Sequence, residues 1–457
     1  MNLSDIVAVL DGRLEGTDVR FDAVSSDTRS IAQGDLFVAL RGERFDGATF
    51  LAEAARAGAV AALVNADSPV ADAPVPVLYV ADTRLALGRL AAFWRDRFDI
   101  PLIAVTGSNG KTTVKEMLAS ILAQAAGSPE AVLATRGNLN NDIGMPQTLL
   151  RLNAHHRYAV IEMGMNHPGE IDYLTRIARP DVALVNNASG AHLAGLGSVQ
   201  AVARAKGEIF AGLGEQGIAV INADDRYADL WRELAAPHRI MDFSLDGDST
   251  VSSCWDVTET GIQMEIIAPD GEVNVQLQVP GAHNARNALA AATAALAVGL
   301  SLARIGAGLE AFRGVNGRLQ RKAGRKGAHL IDDTYNANPA SMRAALQVLA
   351  QQKGKRVFVM GDMGELGADA AAMHAEVGAT ARQLGIQKLY ALGELSRAAV
   401  EAFGPAGRHF DDIDALQAAL LEELDGATSV LVKGSRFMKM ERVVACCMEQ
   451  GEACCSH

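Results

Sequence analysis

The chain has 457 residues, too many for one hydrophobic core and enough for about three domains. With 49% apolar and 21% charged residues and 44 glycines it has the make-up of a loop-rich globular α/β enzyme. Lys and Arg number 42 against 54 Asp and Glu, and the net charge of −12 argues against a nucleic-acid-binding surface.

The N-terminal stretch carries Asp5, Asp11 and Glu15 with no basic start ahead of an apolar block, which speaks against a secretory leader. Short apolar runs at 36–40, 61–64 and 77–80, joined by polar turns and one Ala-rich helical stretch, predict a small α/β domain over 1–98. From Pro101 the pattern becomes strand–helix repeats, with strands near 102–105, 159–162, 182–185 and 218–221. Such alternation predicts a mainly parallel sheet wrapped by helices over 99–315. Alternating segments near 251–257, 262–267 and 273–279 predict an antiparallel appendage to it. The most lipid-like stretch, 288–303, contains Thr293 and Ser301, stops at Arg304 and falls short of the ~20 residues of a membrane span. A packed helix is expected there, with no membrane insertion and a cytoplasmic location. The polar, basic stretch 313–326 reads as a hinge. Strands near 329–332, 356–360, 388–392 and 429–432 then predict a Rossmann-like third domain over 316–457.

Chemistry concentrates at strand ends. The apolar run 102–105 breaks into Thr106-Gly107-Ser108-Asn109-Gly110-Lys111-Thr112-Thr113 and then a helical pattern. Glycines that turn backbone N–H groups toward oxyanions, a helix N-terminus and a lysine make a phosphate cradle, with the Thr112 hydroxyl placed for Mg²⁺. ATP or a close relative is the expected ligand. Glu162 ends the next strand, where it suits either a hard cation or a helix cap. His192 follows another strand end, at 186–188, as a second metal ligand or as loop surface. Lys206 on its own reads as a solvated helix lysine. Asn284 and Asn287 open the alanine-rich helix, and their amides match either the edge of adenine or helix capping. Arg318 on the hinge is placed to reach a γ-phosphate on domain closure, and Asp333 to accept from ribose hydroxyls. Lys433, Ser435 and Arg436 follow the last strand. An arginine fork there suits a carboxylate, with a surface pair to Glu441 as the competing reading. Cys446, Cys447, Cys454 and Cys455 crowd the C-terminus beside His457 as adjacent pairs unlike zinc spacing, and are read with Cys254 as free thiols.

In this order along the chain, these motifs resemble the Mur ligases, ATP-dependent amide-forming enzymes of peptidoglycan synthesis. The likeness runs the whole length, and within the family it is greatest to members that join D-alanyl-D-alanine to a UDP-N-acetylmuramoyl-tripeptide. It is carried at the N-terminus by Ser25-Ser26-Asp27-Thr28-Arg29, Gly34-Asp35-Leu36-Phe37-Val38-Ala39-Leu40 and Phe45-Asp46-Gly47. Further on it rests on Gly137-Asn138-Leu139-Asn140-Asn141, Asp333-Thr334-Tyr335-Asn336-Ala337-Asn338-Pro339, Gly361-Asp362-Met363-Gly364-Glu365-Leu366-Gly367 and Lys433-Gly434-Ser435-Arg436.

The resemblance implies three domains: a UDP-binding domain, a central ATP-binding domain and a C-terminal domain binding the amine. It implies that Ser26, Asp27, Thr28, Arg29, Asp46, Gly47, Asn138, Asn140, Asn141, Asn336 and Asn338 face the substrates. It makes Lys206 the bearer of a carbamate, and sends Thr112 and Glu162 to one Mg²⁺, His192 and Lys206 to a second. Asn284 and Asn287 go to adenine, Arg318 to the γ-phosphate and Asp333 to ribose. The implied chemistry is attack of the tripeptide carboxylate on ATP, giving an acyl phosphate that the amine of the dipeptide then opens, in a monomer. Two readings compete: a sister ligase adding meso-diaminopimelate or lysine, and a non-catalytic ATP-dependent switch.

Overall fold

The computed structural model describes residues 1–449 except 44, 69, 191–195 and 259–260. Its strands form three sheets, each built from one continuous part of the chain. The first contains β1 (Arg13–Glu15), β2 (Ala23–Ser25), β3 (Asp35–Val38), β4 (Ala61–Asn65) and β5 (Val77–Val80) in the order β1-β5-β4-β3-β2. All neighbours are parallel except β1, which runs antiparallel to β5. The predicted runs at 36–40, 61–64 and 77–80 are its three buried strands; the three-residue strands β1 and β2 are too short to show a period. The helices Ser4–Leu10, Leu51–Ala57 and Thr83–Arg95 accompany this sheet, where one had been expected.

The central sheet has nine strands: β6 (Leu102–Thr106), β7 (Val132–Ala134), β8 (Tyr158–Glu162), β9 (Val182–Val185), β10 (Ile218–Asn222), β11 (Arg239–Ser244), β12 (Val251–Val257), β13 (Ile262–Ala268) and β14 (Gly271–Leu277). They lie in the order β14-β13-β12-β11-β10-β9-β6-β8-β7. From β7 to β12 every pair is parallel; the β12–β13 and β13–β14 pairs are antiparallel, so β13 alone runs against the rest. The antiparallel segment therefore extends the main sheet through β12 and shares its core.

Fully buried apolar strands such as β6 and β9 mark a sheet covered on both faces. One cover is the helix Lys111–Ala126, whose Val114, Met117, Leu118, Ile121 and Leu122 repeat at helical spacing and are all buried. Gly308 of the helix Leu302–Ala311 lies so near it that an added Cβ would sit 2.3 Å from Ile121 Cα. The alanine-rich segment is the buried helix Ala282–Ala297, and among the described residues no helix is long and apolar enough to cross a membrane.

The third sheet comprises β15 (Gln320–Ala323), β16 (His329–Asp333), β17 (Lys355–Gly361), β18 (Lys388–Leu392), β19 (Gly407–Phe410) and β20 (Thr428–Lys433), ordered β15-β16-β20-β17-β18-β19. The stretch expected to be a hinge is corrected in part: 320–323 is an edge strand, antiparallel to β16. Its Gln-Arg-Lys-Ala sequence has the polar, charged character by which edge strands avoid further pairing, and Lys322 binds Asp332 at 2.8 Å.

Candidate active site

The loop between β6 and the helix Lys111–Ala126 fits its surroundings only with glycine at 110. That residue has φ +81°, and a Cβ there would sit 2.3 Å from Asn287 Oδ1 and 2.6 Å from Asn186 Nδ2. The end of β9 locks the loop from one side. Asn109 N–H donates to Asn187 Oδ1 at 2.9 Å, and the amides of Asn186 and Asn187 both donate to Asn109 O at 3.0 Å. Thr106 Oγ1 donates to Met163 O at 2.9 Å, tying the loop's start to the end of β8.

Lys111 lies at the helix N-terminus with its ammonium 2.7 Å from Gly107 O. Burial pulls its pKa down from the ordinary lysine value, Glu162 opposes this and Arg318 adds to it, so the three charges share one field. Glu162 is buried; Oε1 accepts from Asn140 Nδ2 at 2.8 Å, while Oε2 has no hydrogen-bond partner. It caps no helix. A buried carboxylate oxygen without a donor, lining the same cavity as Thr112, fits a hard divalent cation. Among the described residues no three His, Cys, Asp or Glu side chains gather around one point. A cation here would therefore need phosphate oxygens and water to complete its shell.

Lys206 is 1% exposed, not the solvated helix residue its sequence context suggests. Burial, then the nearby charge of Lys111, push its pKa well below the ordinary lysine value. That favours the neutral amine, the form able to take up CO2. His192 lies outside the described residues.

Arg318 crosses from the third part of the chain to the phosphate loop. Its guanidinium lies 4.2 Å from the centroid of the Tyr335 ring, and Nη2 approaches Thr112 Oγ1 at 3.5 Å. Asn338 makes a second crossing to Asn109. A cavity of about 1290 Å³ opens beneath these contacts. Residues 108–112, Glu162 and Arg318 form one part of its wall, Asn138, Asn140 and Asn141 another, and Asn336, Asn338, Ser435 and Arg436 a third.

A smaller cavity of about 200 Å³ lies behind the loop, lined by Asn284, Asn287, Asp333 and Lys433 with Thr113 and His283. Neither asparagine is the helix cap, a position held by Gly281. Their amides form a chain instead: Asn284 Nδ2 donates to Pro280 O, Asn287 Nδ2 to Asn284 Oδ1, and Asn186 Nδ2 to Asn287 Oδ1.

Lys433 faces this smaller cavity, away from Ser435 and Arg436. It is 2% exposed, donates to Asp333 Oδ2 at 2.6 Å and to Asn336 O at 2.9 Å, and its pKa falls through burial against the pull of Asp333. Arg436 reaches both the large cavity and Glu441, at 3.2 Å, so its two sequence readings coexist. Of the candidates before residue 100, none borders either cavity. Ser26 accepts from Gln147 Nε2 at 2.7 Å, Asp27 pairs with Arg29, Thr28 donates to Glu53, and Asp46 caps the turn Gly47–Phe50. That part contributes Arg84 and Leu85 to the large cavity, Arg84 pairing with Asp142 across the chain.

Sequence reasoning missed the supports beneath Glu162. Glu162 N–H donates to Thr135 Oγ1 at 2.9 Å, and the buried Lys115 donates to Thr135 O at 2.8 Å. Lys115, four residues after Lys111 on a helix that packs on the core, carried the one available signal: a lysine on a buried face. Tyr335, within the 333–339 motif, gains its role only in the structure, as the ring beneath Arg318.

A phosphate loop facing a second α/β unit that supplies an arginine fits a protein that works on ATP between two of its parts. Comparison with known families agrees. Residues 20–95 match the Mur ligase family, catalytic domain, 105–295 the Mur ligase middle domain, and 317–436 the Mur ligase, glutamate ligase domain. The chain belongs to the Mur ligase family.

Over 456 residues it is 46% identical to the UDP-N-acetylmuramoyl-tripeptide–D-alanyl-D-alanine ligase of Escherichia coli K12, covering 99% of each chain. The crystal structure of MurF from Acinetobacter baumannii superposes with a TM-score of 0.89 at 39% identity, over 97% of both chains. MurF from Thermotoga maritima in complex with ADP superposes at 0.83 with 28% identity, over 93% of this chain and 96% of that one.

Proposed function

We propose that this chain uses ATP to join D-alanyl-D-alanine to the terminal carboxylate of a UDP-N-acetylmuramoyl-tripeptide, releasing ADP and phosphate, in the cytoplasm and as a monomer. Residues 1–98 hold the UDP end, 99–315 the ATP and 316–457 the dipeptide. The observation that carries this is Arg318, stacked on Tyr335 and reaching Thr112 of the phosphate loop. It brings the two units on either side of the large cavity to the place where a γ-phosphate would lie. Neither sister-ligase chemistry nor a switch is favoured by the 46% identity with a ligase of this name over nearly the whole chain.

In the first step the tripeptide carboxylate attacks the γ-phosphorus of ATP, and ADP leaves. Two anions must meet, so positive charge is needed where they do; Lys111 and Arg318, both half-buried at the wall of the cavity, provide it. Thr112 and Glu162 would hold one Mg²⁺, and His192 with an N-carboxylated Lys206 a second; when bound, these ions screen phosphate charge and stabilise the transferring group. The resulting acyl phosphate is prone to hydrolysis, and the contacts of Arg318 and Asn338 with the loop draw the C-terminal unit over it. In the second step the dipeptide amine attacks the acyl carbon and phosphate departs. Asn284 and Asn287 line the base-side cavity. Asp333, fixed by Lys433, stands at its edge for ribose. Arg436 suits the free carboxylate of the dipeptide.

The test is phosphate release with each substrate alone and together, using tripeptide labelled with ¹⁸O in its terminal carboxylate. One labelled oxygen should appear in the phosphate, and only when tripeptide is present. Release without the label would refute the acyl phosphate.

A further inference from the structure

The C-terminal unit meets the large cavity with a short helical turn that presents an aromatic ring to it. We propose that Phe437 packs on the side-chain methyl of the dipeptide's C-terminal residue and selects D-alanine there. This rests on the reaction assigned above and adds a specificity-determining residue to it.

Phe437 is 63% exposed, the most open of the large apolar side chains among the described residues. A single exposed ring on an open surface carries no meaning. This one borders the large cavity beside Arg436. The turn puts it there. Arg436–Met438 form one 3₁₀ turn after Ser435, and at three residues per turn their side chains point about 120° apart. Met438 takes the inward direction and packs against the core that holds Val432 and Met440. Arg436 and Phe437 are left to face the cavity.

The ring is held along one edge. A Cβ added at Gly364 would sit 3.1 Å from Phe437 Cε1, so a side chain at 364 would push the ring aside. Gly364 is fixed in turn: its N–H donates to Ser435 Oγ at 2.8 Å, and the N–H of Met363 before it donates to Nε2 of the fully buried His374 at 2.9 Å. An anchored edge and an open face make a seat for something small and apolar.

The zwitterionic dipeptide offers two charged ends and two methyl groups. With its carboxylate on Arg436, the methyl of the C-terminal residue lies two bonds from that carboxylate carbon and falls beside the next residue of the turn, Phe437. The methyl of the first residue is a peptide bond farther off, toward the acyl phosphate. Covering the ring with a methyl takes apolar surface of both out of water, and a glycine in its place forfeits that gain. The uracil, the other group a ring could stack on, is assigned to residues 1–98, whereas Phe437 belongs to the unit that takes the dipeptide.

The test measures kcat/KM of wild type, Phe437→Ala and Phe437→Leu with D-alanyl-D-alanine, D-alanyl-glycine and glycyl-D-alanine, at saturating ATP and UDP-tripeptide. Wild type should prefer D-alanyl-D-alanine to D-alanyl-glycine by about tenfold, the low end for one methyl because the seat is open on one side. Phe437→Ala should bring that ratio close to one and leave the ratio to glycyl-D-alanine unchanged; Phe437→Leu should fall between. The side chain is exposed, so its removal spares the fold. Three results overturn the inference: an unaltered D-alanyl-glycine ratio in Phe437→Ala, an equal loss with all three dipeptides, which would mean that the ring only shapes the turn, or a raised KM for the UDP-tripeptide in its place. Wild type that forms acyl phosphate yet joins no D-alanyl-D-alanine overturns the reaction assignment and this inference together; an active wild type whose selectivity survives Phe437→Ala overturns the inference alone.

Discussion

Asn338 Nδ2 donates to Asn109 Oδ1 at 2.8 Å, a contact that spans 229 residues and joins a helix cap to a phosphate loop. The same Asn338 side chain accepts from Ser341 N–H to cap the helix Pro339–Ala350, in a capping box with Pro339 at the first turn. One residue thus fixes the start of a helix and reports the position of that helix to the ATP site.

These two roles separate by substitution. Asn338→Ser keeps a capping oxygen but loses the reach to Asn109, whereas Asn338→Ala loses both. The alanine variant should be about 1 kcal/mol less stable to urea, the usual cost of a lost cap, and the serine variant close to wild type. Both should turn over ATP more slowly. Equal activity of the serine variant and wild type would show the crossing to be idle.

Arg318 stacks on Tyr335, and the ring's face is what orients it. Tyr335→Phe should preserve acyl-phosphate formation, while Tyr335→Leu should cost about 1 kcal/mol of transition-state stabilisation, the scale of a cation–π contact. Arg318→Ala should lose about 10²–10³ in rate, the scale of a missing charge donor. Arg318→Lys should not restore it, because an ammonium cannot keep the planar stack. Single-turnover trapping with hydroxylamine reads all four.

The Asp333–Lys433 pair is buried on both sides, at 8% and 2% side-chain exposure. Removing one partner leaves a charge without compensation, so Asp333→Asn or Lys433→Met should cost about 3–5 kcal/mol in urea unfolding. Changing both, Asp333→Asn with Lys433→Met, should recover much of this stability without recovering nucleotide affinity. Calorimetry with ADP separates the two effects.

His283 has its pKa pushed down to about 4 by burial, with Asp333 opposing and Lys433 and Arg286 adding to the shift. The folded protein therefore binds fewer protons than the unfolded chain between pH 6.5 and 4. The contribution of His283 to stability is full above pH 6.5 and is lost as pH falls toward 4. His283→Gln should flatten that part of the stability–pH curve, measured by urea titration across it. An unaltered slope would assign the acid sensitivity to other groups.

Lys206 tests the second-cation assignment. In bicarbonate buffer the native intact mass should rise by one CO2, and Lys206→Arg, whose guanidinium is always protonated, should show neither the added mass nor activity.

The phosphate loop and most strands were legible because their signals are local. The runs 102–105 and 182–185 are apolar throughout, as strands covered on both faces must be, and a glycine loop before a helix reads the same in any context. Shorter or polar elements were hidden. β7 has three residues, and β15 has no apolar period because its stability comes from pairing with β16 and the Lys322–Asp332 bond.

By itself, the order of residues determined the three-part α/β plan and the glycine loop ahead of a helix, both of which depend on neighbours a few positions apart. Only the tertiary structure decided that Lys433 turns to Asp333 and not to Arg436's cavity, and that Thr135 and Lys115 brace Glu162. It alone set Asn338 against Asn109. Strand 428–433 lies beside both β16 and β17, and side chains on successive residues of a strand point to opposite faces. Which cavity each one meets is therefore settled by what packs on either face, and that comes from segments about a hundred residues away in the chain.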